Sequence, residues 1–448
     1  MSDLKQKDFP SALSNRSLRG VATLRKREGS SIAFGFLSAF FVVYCSRPEE
    51  WIILLHYIPV AKVTAGGAML ALLIAGKTER KLKDLPREAR LLLALIIVLF
   101  ISAVLSPVWR GGAFVHTLEF SKIFIIFVLM FLLVTNMHRL RRLIFVQAAS
   151  MMVVTTVSIA KGYGTPRLEG VIGGIYWNSN DLAFAIVLSI PFCLAFLIIS
   201  KSMLRKCSWA VGILVMLAAL FLTASRAGFI DLVISGAVCL WHFGVRGRRY
   251  RLIAITAVLG VLFLLTFGKK LVQRFEAISS QTQGDSAYGS YEARKYLMIR
   301  AVQGIEQYPI LGVGANNFLS YSRTWHEVHM TYLQIAVEGG IPALILYLMI
   351  FGCGFRNLRG LRKRRDLPEE YEIFAGAIHS SLVGFAVGAL FSPEAYHFFP
   401  YFAVAYTSAM VAMVVQEHGK AVPGAALKRQ RKMISIYRPN EKRQPIPR

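Results

Sequence analysis

The 448-residue chain is short of acid: 25 Asp and Glu stand against 52 Lys and Arg, a formal net charge of +27. In a soluble protein that imbalance would suggest a nucleic-acid partner. Charge of either sign is scarce, however, at 17% of residues, while hydrophobic residues make up 55% and Phe alone occurs 30 times. Cysteine is sparse. Cys45, Cys193, Cys207, Cys239 and Cys353 lie in or beside apolar runs with no C-x-x-C pair, so they read as small buried hydrophobes. The chain has no Asp-x-Asp pair, which leaves the divalent-metal clamp of sugar-nucleotide transferases without obvious ligands. It has no G-x-x-x-x-G-K-S/T, which removes the common nucleotide loop.

Also missing is the periodic apolar striping of a soluble protein of this length. The apolar residues come in unbroken runs, and a run of about 20 residues at 1.5 Å rise crosses a bilayer. Lipid leaves backbone groups no partner outside their own segment, so such runs predict transmembrane helices. About a dozen are expected, at 31–46, 51–76, 91–106, 113–135, 143–160, 181–200, 208–224, 228–243, 251–267, 331–353, 374–391 and 399–416. Pro59 and Lys62 in the second predict a broken or partly re-entrant segment. The first run follows a polar, basic arm and has no small-residue cleavage site, so it reads as an anchor rather than a signal peptide. The predicted class is an all-α, polytopic membrane protein.

Most of the Lys and Arg residues fall in the pieces between alternate spans, including RNLRGLRKRR (356–365) and the tail from 417. By the positive-inside rule both termini are expected in the cytoplasm, with the protein in a bacterial inner membrane. The excess charge is thereby accounted for by topology and anionic lipid headgroups, without nucleic acid. The expected organisation is a basic arm (1–30), nine spans (31–267), an outward loop with a helix (268–330), three spans (331–416) and a basic tail (417–448). Within the loop, QTQGDSAYGS (281–290) reads as a turn, and helical spacing resumes over 291–308 before Pro309. A shorter outward loop, 161–180, carries GYGTPRLEGVIGGIYWNSN.

Several residues on the outward side carry chemistry. Arg226, in LTASRAGFI, lies at the apolar boundary, where a cation either snorkels to the interface or meets an anionic ligand. Asp231 is a poorly spaced partner for it. His329 opens the tenth span and is either a hydrogen-bonded structural residue or a proton acceptor near neutral pH. His326 is close by, but no third ligand follows at helical spacing to make a metal site. Arg294, Lys295 and Arg300 on the loop helix form either a solvated basic face or a grip on a diphosphate. LGVGANNF (311–318) follows no strand and reads as a turn rather than a phosphate loop.

Taken in order, these elements resemble the bacterial O-antigen ligase and polysaccharide polymerase family of membrane glycosyltransferases. The resemblance rests first on Ser225-Arg226-Ala227-Gly228. It continues with Arg294 ahead of Tyr308-Pro309-Ile310-Leu311-Gly312-Val313-Gly314 and Asn317-Phe318, and with His329, Tyr332-Leu333, Glu338 and Gly339. Trp177-Asn178-Ser179-Asn180-Asp181-Leu182-Ala183 is a weaker fourth piece. Met330 departs from the family's pattern, which has Asn after the histidine.

The resemblance implies a GT-C-like fold and a metal-independent, inverting glycosyltransferase with no cofactor. It would move a glycan from a polyprenyl-diphosphate carrier to a glycolipid (lipid A–core) or glycan hydroxyl, in lipopolysaccharide or exopolysaccharide biosynthesis. His329, Arg226 and Arg294 would then be catalytic, with Arg300, Lys295, Asn180, Tyr332 and Glu338 binding substrate. A transporter or flippase is the competing reading. It would place polar groups such as Lys62, Glu119, Lys122 and Asp231 at mid-membrane in two related halves.

Overall fold

The computed structural model describes residues 30–75, 79–162, 164–165, 167–170, 176, 178–258, 260–261, 265, 286–324, 326–364 and 366–421. The basic arm before residue 30, most of the tail, Trp177 and the loop over 266–285 lie outside the described residues. Every regular element among the described residues is a helix. We number them α1 (Ser30–Ser46), α2 (Pro48–Trp51), α3 (Val60–Ala75), α4 (Arg87–Val104), α5 (Arg110–Leu133), α6 (Met137–Lys161), α7 (Ser179–Ile199), α8 (Met203–Thr223) and α9 (Arg226–Cys239). The last of these runs on as a π-helical turn, Leu240–Arg246. Beyond residue 285 come α10 (Ser286–Gln307), α11 (Phe318–Ser322), α12 (Thr331–Arg362), α13 (Glu369–Gly388) and α14 (Phe398–Ala421).

Seven helices among the described residues are long and apolar enough to cross a membrane: α5, α6, α7, α8, α9 with its π turn, α12 and α14. α1 and α3 are apolar but shorter. α4 and α13 are apolar along most of their length and differ in carrying a cluster of charges in the first turn, Arg87, Glu88 and Arg90 in one and Glu369, Glu370 and Glu372 in the other. The ninth expected span, 251–267, is described only in part. The second expected span is interrupted: after α2 and a short 3-10 turn the chain re-enters helix only beyond Pro59. Proline's fixed φ and missing N–H suit a helix start and disfavour its interior. The loop helix begins at Ser286, five residues before the expected 291. Gly289 alone, worth about 1 kcal/mol against helix, does not stop a segment otherwise compatible with it.

α7 and α14 form the middle of the bundle, with 78% of each span buried, whereas only 33% of α8 is buried, so α8 lies at the lipid edge. The Phe-rich composition fills this centre: Phe41 stacks on Phe402 at 4.4 Å, and Phe196 on Trp209 at 4.9 Å. Buried hydroxyls turn back on their own helices, as Thr117 does to Ala113 O and Thr155 to Met151 O. Some buried polar side chains pair across helices. Asn357 donates to Glu88 at 2.8 Å and to Thr407 at 3.2 Å, and Tyr406 donates to Gln147 at 2.9 Å.

The helices alternate in direction, so their ends sort into two faces. One face gathers the starts of α7, α9, α12 and α14 and the ends of α6, α8 and α13. The basic connections before α4, α6 and α8 and after α12 gather on the other.

Candidate functional site

The α8–α9 reversal sets the site. Ala224 takes a left-handed conformation (φ 52°), and Ser225 then caps α9 by accepting from Gly228 N at 3.2 Å. Ser225 Oγ also donates to Asn180 Oδ1 at 2.8 Å, which ties this turn to the start of α7. Asn178 caps α7, its side chain accepting from Asn180 N at 2.9 Å. Arg226 is thereby fixed at the first turn of α9, where the helix dipole disfavours a cation and favours an anion.

Arg167 reaches the same place from the loop after α6. Leu168 N donates to Leu222 O at 2.9 Å, and Arg167 Nε to Thr223 O at 3.0 Å. Its Nη2 lies 3.4 Å from Asn180 Oδ1. Arg294 arrives on α10, which packs on α12 through a small separate core of Leu297, Ala301, Val313, Phe318, Val328 and Val337. Burial, then the neighbouring charges of Arg226 and Arg167, hold the Arg294 guanidinium below the ordinary arginine range. Three arginines from separate segments therefore converge. His329 lies beside them: burial, then Arg294 and His326, push its imidazole down to about 4. It is neutral at pH 7 and so able to accept a proton.

An acidic side adjoins this basic one. Thr331 Oγ1, two residues past His329, donates to Ser392 O at 2.6 Å and accepts from Glu394 N at 2.9 Å. The buried Glu394 is paired with His397 at 2.5 Å. Burial works against a charged His397, yet Glu394, Asp181 and Glu327 together outweigh it and raise the imidazole to about 9. Among the described residues no three His, Cys, Asp or Glu side chains are arranged to hold a metal ion.

The remaining predicted residues divide. Asn180 is in the cluster, as above. Lys295 is exposed on α10. Arg300 sits over the Tyr321 ring at 5.1 Å and bonds Gln303 at 2.9 Å. Tyr332 donates its hydroxyl to Ala386 O at 2.7 Å. Glu338 is buried and accepts from Tyr396 at 2.6 Å. The last two belong to the framework that holds α12.

LGVGANNF is part of that framework too. α12 breaks at Gly340 (φ 77°), and the loop docks its backbone into the gap. Val313 N donates to Val337 O, Gly314 N to Glu338 O, and Ile341 N to Pro309 O, all within 2.8–2.9 Å. Ser102 on α4 donates to Leu311 O and Glu338 O, and Asn317 Nδ2 bonds Ser106 Oγ at 2.9 Å. Gly312 and Gly314 have positive φ, and a Cβ on Gly312 would stand 2.5 Å from the Glu338 carbonyl carbon. The glycines here serve a backbone-to-backbone clamp. By fixing the break in α12, the clamp fixes the direction from which His329 enters the site.

Arg167, Glu394 and His397 were not singled out from sequence. Arg167 sits in the loop between α6 and α7 with nothing around it to distinguish it from an interfacial arginine, and Glu394 and His397 follow no motif.

Fold and site together define a polytopic, all-helical membrane protein with a cationic cluster and a neutral histidine at one membrane face. Residues 211–348 match the family model described as O-antigen ligase. The match takes in Arg226, Arg294, His329 and the broken part of α12. Arg167, Asn180 and His397 fall outside it. No curated protein matches the chain.

Proposed function

We propose that this protein transfers a glycan from a polyprenyl-diphosphate carrier to a hydroxyl of a glycolipid or growing glycan at the outer face of a bacterial inner membrane. The observation that carries the reading is the meeting of Arg226, Arg294 and Arg167 beside a neutral His329 at the membrane boundary. A lipid-linked diphosphate would lie at that depth, with its charge facing three planar guanidinium forks suited to phosphate oxygens.

In the proposed step the acceptor hydroxyl oxygen attacks the anomeric carbon and its proton passes to His329. The bond from that carbon to the diphosphate oxygen breaks, and the lipid diphosphate leaves against the arginines. Direct displacement inverts the anomeric centre. A positioned donor to the developing charge is worth roughly 3–4 kcal/mol in rate. The arginines would thus do without metal what divalent ions do elsewhere.

The break in α12 is filled by the docked glycine segment rather than by an open polar path, which supports a transferase over a transporter. His329→Ala and Arg294→Gln, introduced separately in the native host, should each abolish surface glycan and build up carrier-linked glycan, read by lipid extraction and mass spectrometry. Normal surface glycan in both strains would overturn the proposal. In a strain lacking the protein, full-length but unattached glycan would mark a ligase, and single repeat units a polymerase.

A further inference from the structure

At the opposite face from the arginine cluster, the ends of α9 and α12 and the side of α13 border an open cavity of about 470 Å³ lined by Arg246, Phe355, Arg359, Arg362, Lys363 and His379. That size lies within the range of small-molecule sites. Four of the six lining residues are cationic, and basic residues at this face would by themselves be explained by topology. Three features go beyond that explanation.

First, the α-helix of α9 gives way to a π turn over Leu240–Arg246, which re-aims Arg246 so that its Nη2 lies 3.4 Å from Arg362 O, at the cavity wall. π turns of this kind are frequent at functional sites. Second, Arg362 Nε is buried and has no hydrogen-bond partner. A buried, unsatisfied donor on a charged group is destabilising unless a ligand completes it. Third, His379 bonds His242 at 3.0 Å between ring nitrogens, and its ring is edge-on to Phe355 at 5.8 Å. One nitrogen of that bond must be unprotonated, so at most one of the two imidazoles carries charge. Of the nearby acids, Glu372 is 3.9 Å from Arg246, and Glu369 is taken up by Arg249 at 2.6 Å. The cavity thus gathers three guanidinium groups, one of them with a donor left without an acceptor.

We propose that this cavity binds a phosphate-bearing anion at the membrane face opposite the transferase site. The ligand chemistry is a phosphate accepting from Arg246, Arg359 and Arg362, with Lys363 as a further point charge. A phospholipid headgroup and a free phosphate both offer it.

The test uses the full-length protein and follows its thermal unfolding, since a ligand bound only to the folded state raises the midpoint. One arm adds sodium phosphate against sodium chloride at equal ionic strength. The other compares nanodiscs of phosphatidylcholine with nanodiscs containing phosphatidylglycerol. A rise in the first arm identifies free phosphate, and a rise in the second alone identifies a lipid headgroup. In either case Arg359→Gln combined with Arg362→Gln should weaken binding at least tenfold, while Arg141→Gln, on the same face and paired with Glu370 at 3.1 Å, should leave it unchanged. If the double variant does not fold, Lys363→Gln replaces it, with a loss of at least threefold expected. No response of the wild type in either arm, or equal responses in wild type and variant, overturns the proposal. Because His329→Ala does not touch this cavity, retained binding in that variant separates the result from the transferase reading.

Discussion

Two consecutive residues, His329 and Met330, sit just before α12 with different surroundings and different expected roles. Met330 is the N-cap of α12, in extended conformation and with no side-chain capping bond. Where the family pattern has Asn, an amide oxygen at this position would accept from the first turn of the helix. Met330→Asn is therefore expected to stabilise the protein by about 1 kcal/mol, measured as a raised unfolding midpoint, with little change in transfer rate. His329 behaves differently. Its folded-state imidazole is held at about 4, so it is an acceptor above that pH and loses this capacity as pH falls through it. The acid limb of kcat/KM should lie near pH 4, since that parameter reports the free enzyme. Arg294 is part of what lowers it, after burial. Arg294→Gln should accordingly move the acid limb of the residual activity upward. An unmoved limb would mean that the two groups do not interact.

At the scale of elements, the site depends on a helix being broken in the right place. Gly340 has φ 77°, and a Cβ there would lie 2.2 Å from Ile310 O. Gly236, within α9, has nothing within 4 Å of the corresponding position. Gly340→Ala should destabilise the protein by at least about 1–3 kcal/mol, through strain at positive φ with the collision added. Gly236→Ala should be neutral or stabilising by up to about 1 kcal/mol, since alanine is the better helix former. Thermal unfolding of both variants checks the contrast. Equal effects would mean that the clamp between 309–314 and 337–341 does not hold the fold.

For the whole molecule, the question is which face is which. α8 runs from Met203 to Thr223, and Thr223 O receives Arg167 at the arginine cluster. Cys207, near the start of α8, therefore lies toward the other face. It is exposed, whereas the other four cysteines are buried. With the cluster outward, a membrane-impermeant maleimide should label Cys207 in inverted vesicles and fail to do so in intact spheroplasts. Labelling of spheroplasts at Cys207 would reverse the orientation, and with it the proposed access of the carrier lipid.

The all-helical membrane class was legible from the chain alone, because a span is a local property: some 20 consecutive apolar residues suffice, whatever they pack against. The interrupted second span followed from Pro59 for the same reason. Arg226, Arg294 and His329 were also visible, each in a short pattern at a helix end. Their meeting was not, since it depends on α13 packing against α7 and α9 on one side and α12 on the other, while α10 packs on α12, a long-range outcome with no local signature. Tertiary structure likewise added Arg167 and the Glu394–His397 pair to the site and turned Glu338 and Tyr332 inward as supports. It also gathered Arg246, Arg359, Arg362 and Lys363 around one cavity, a convergence that exists only once α9 and α12 end at the same face.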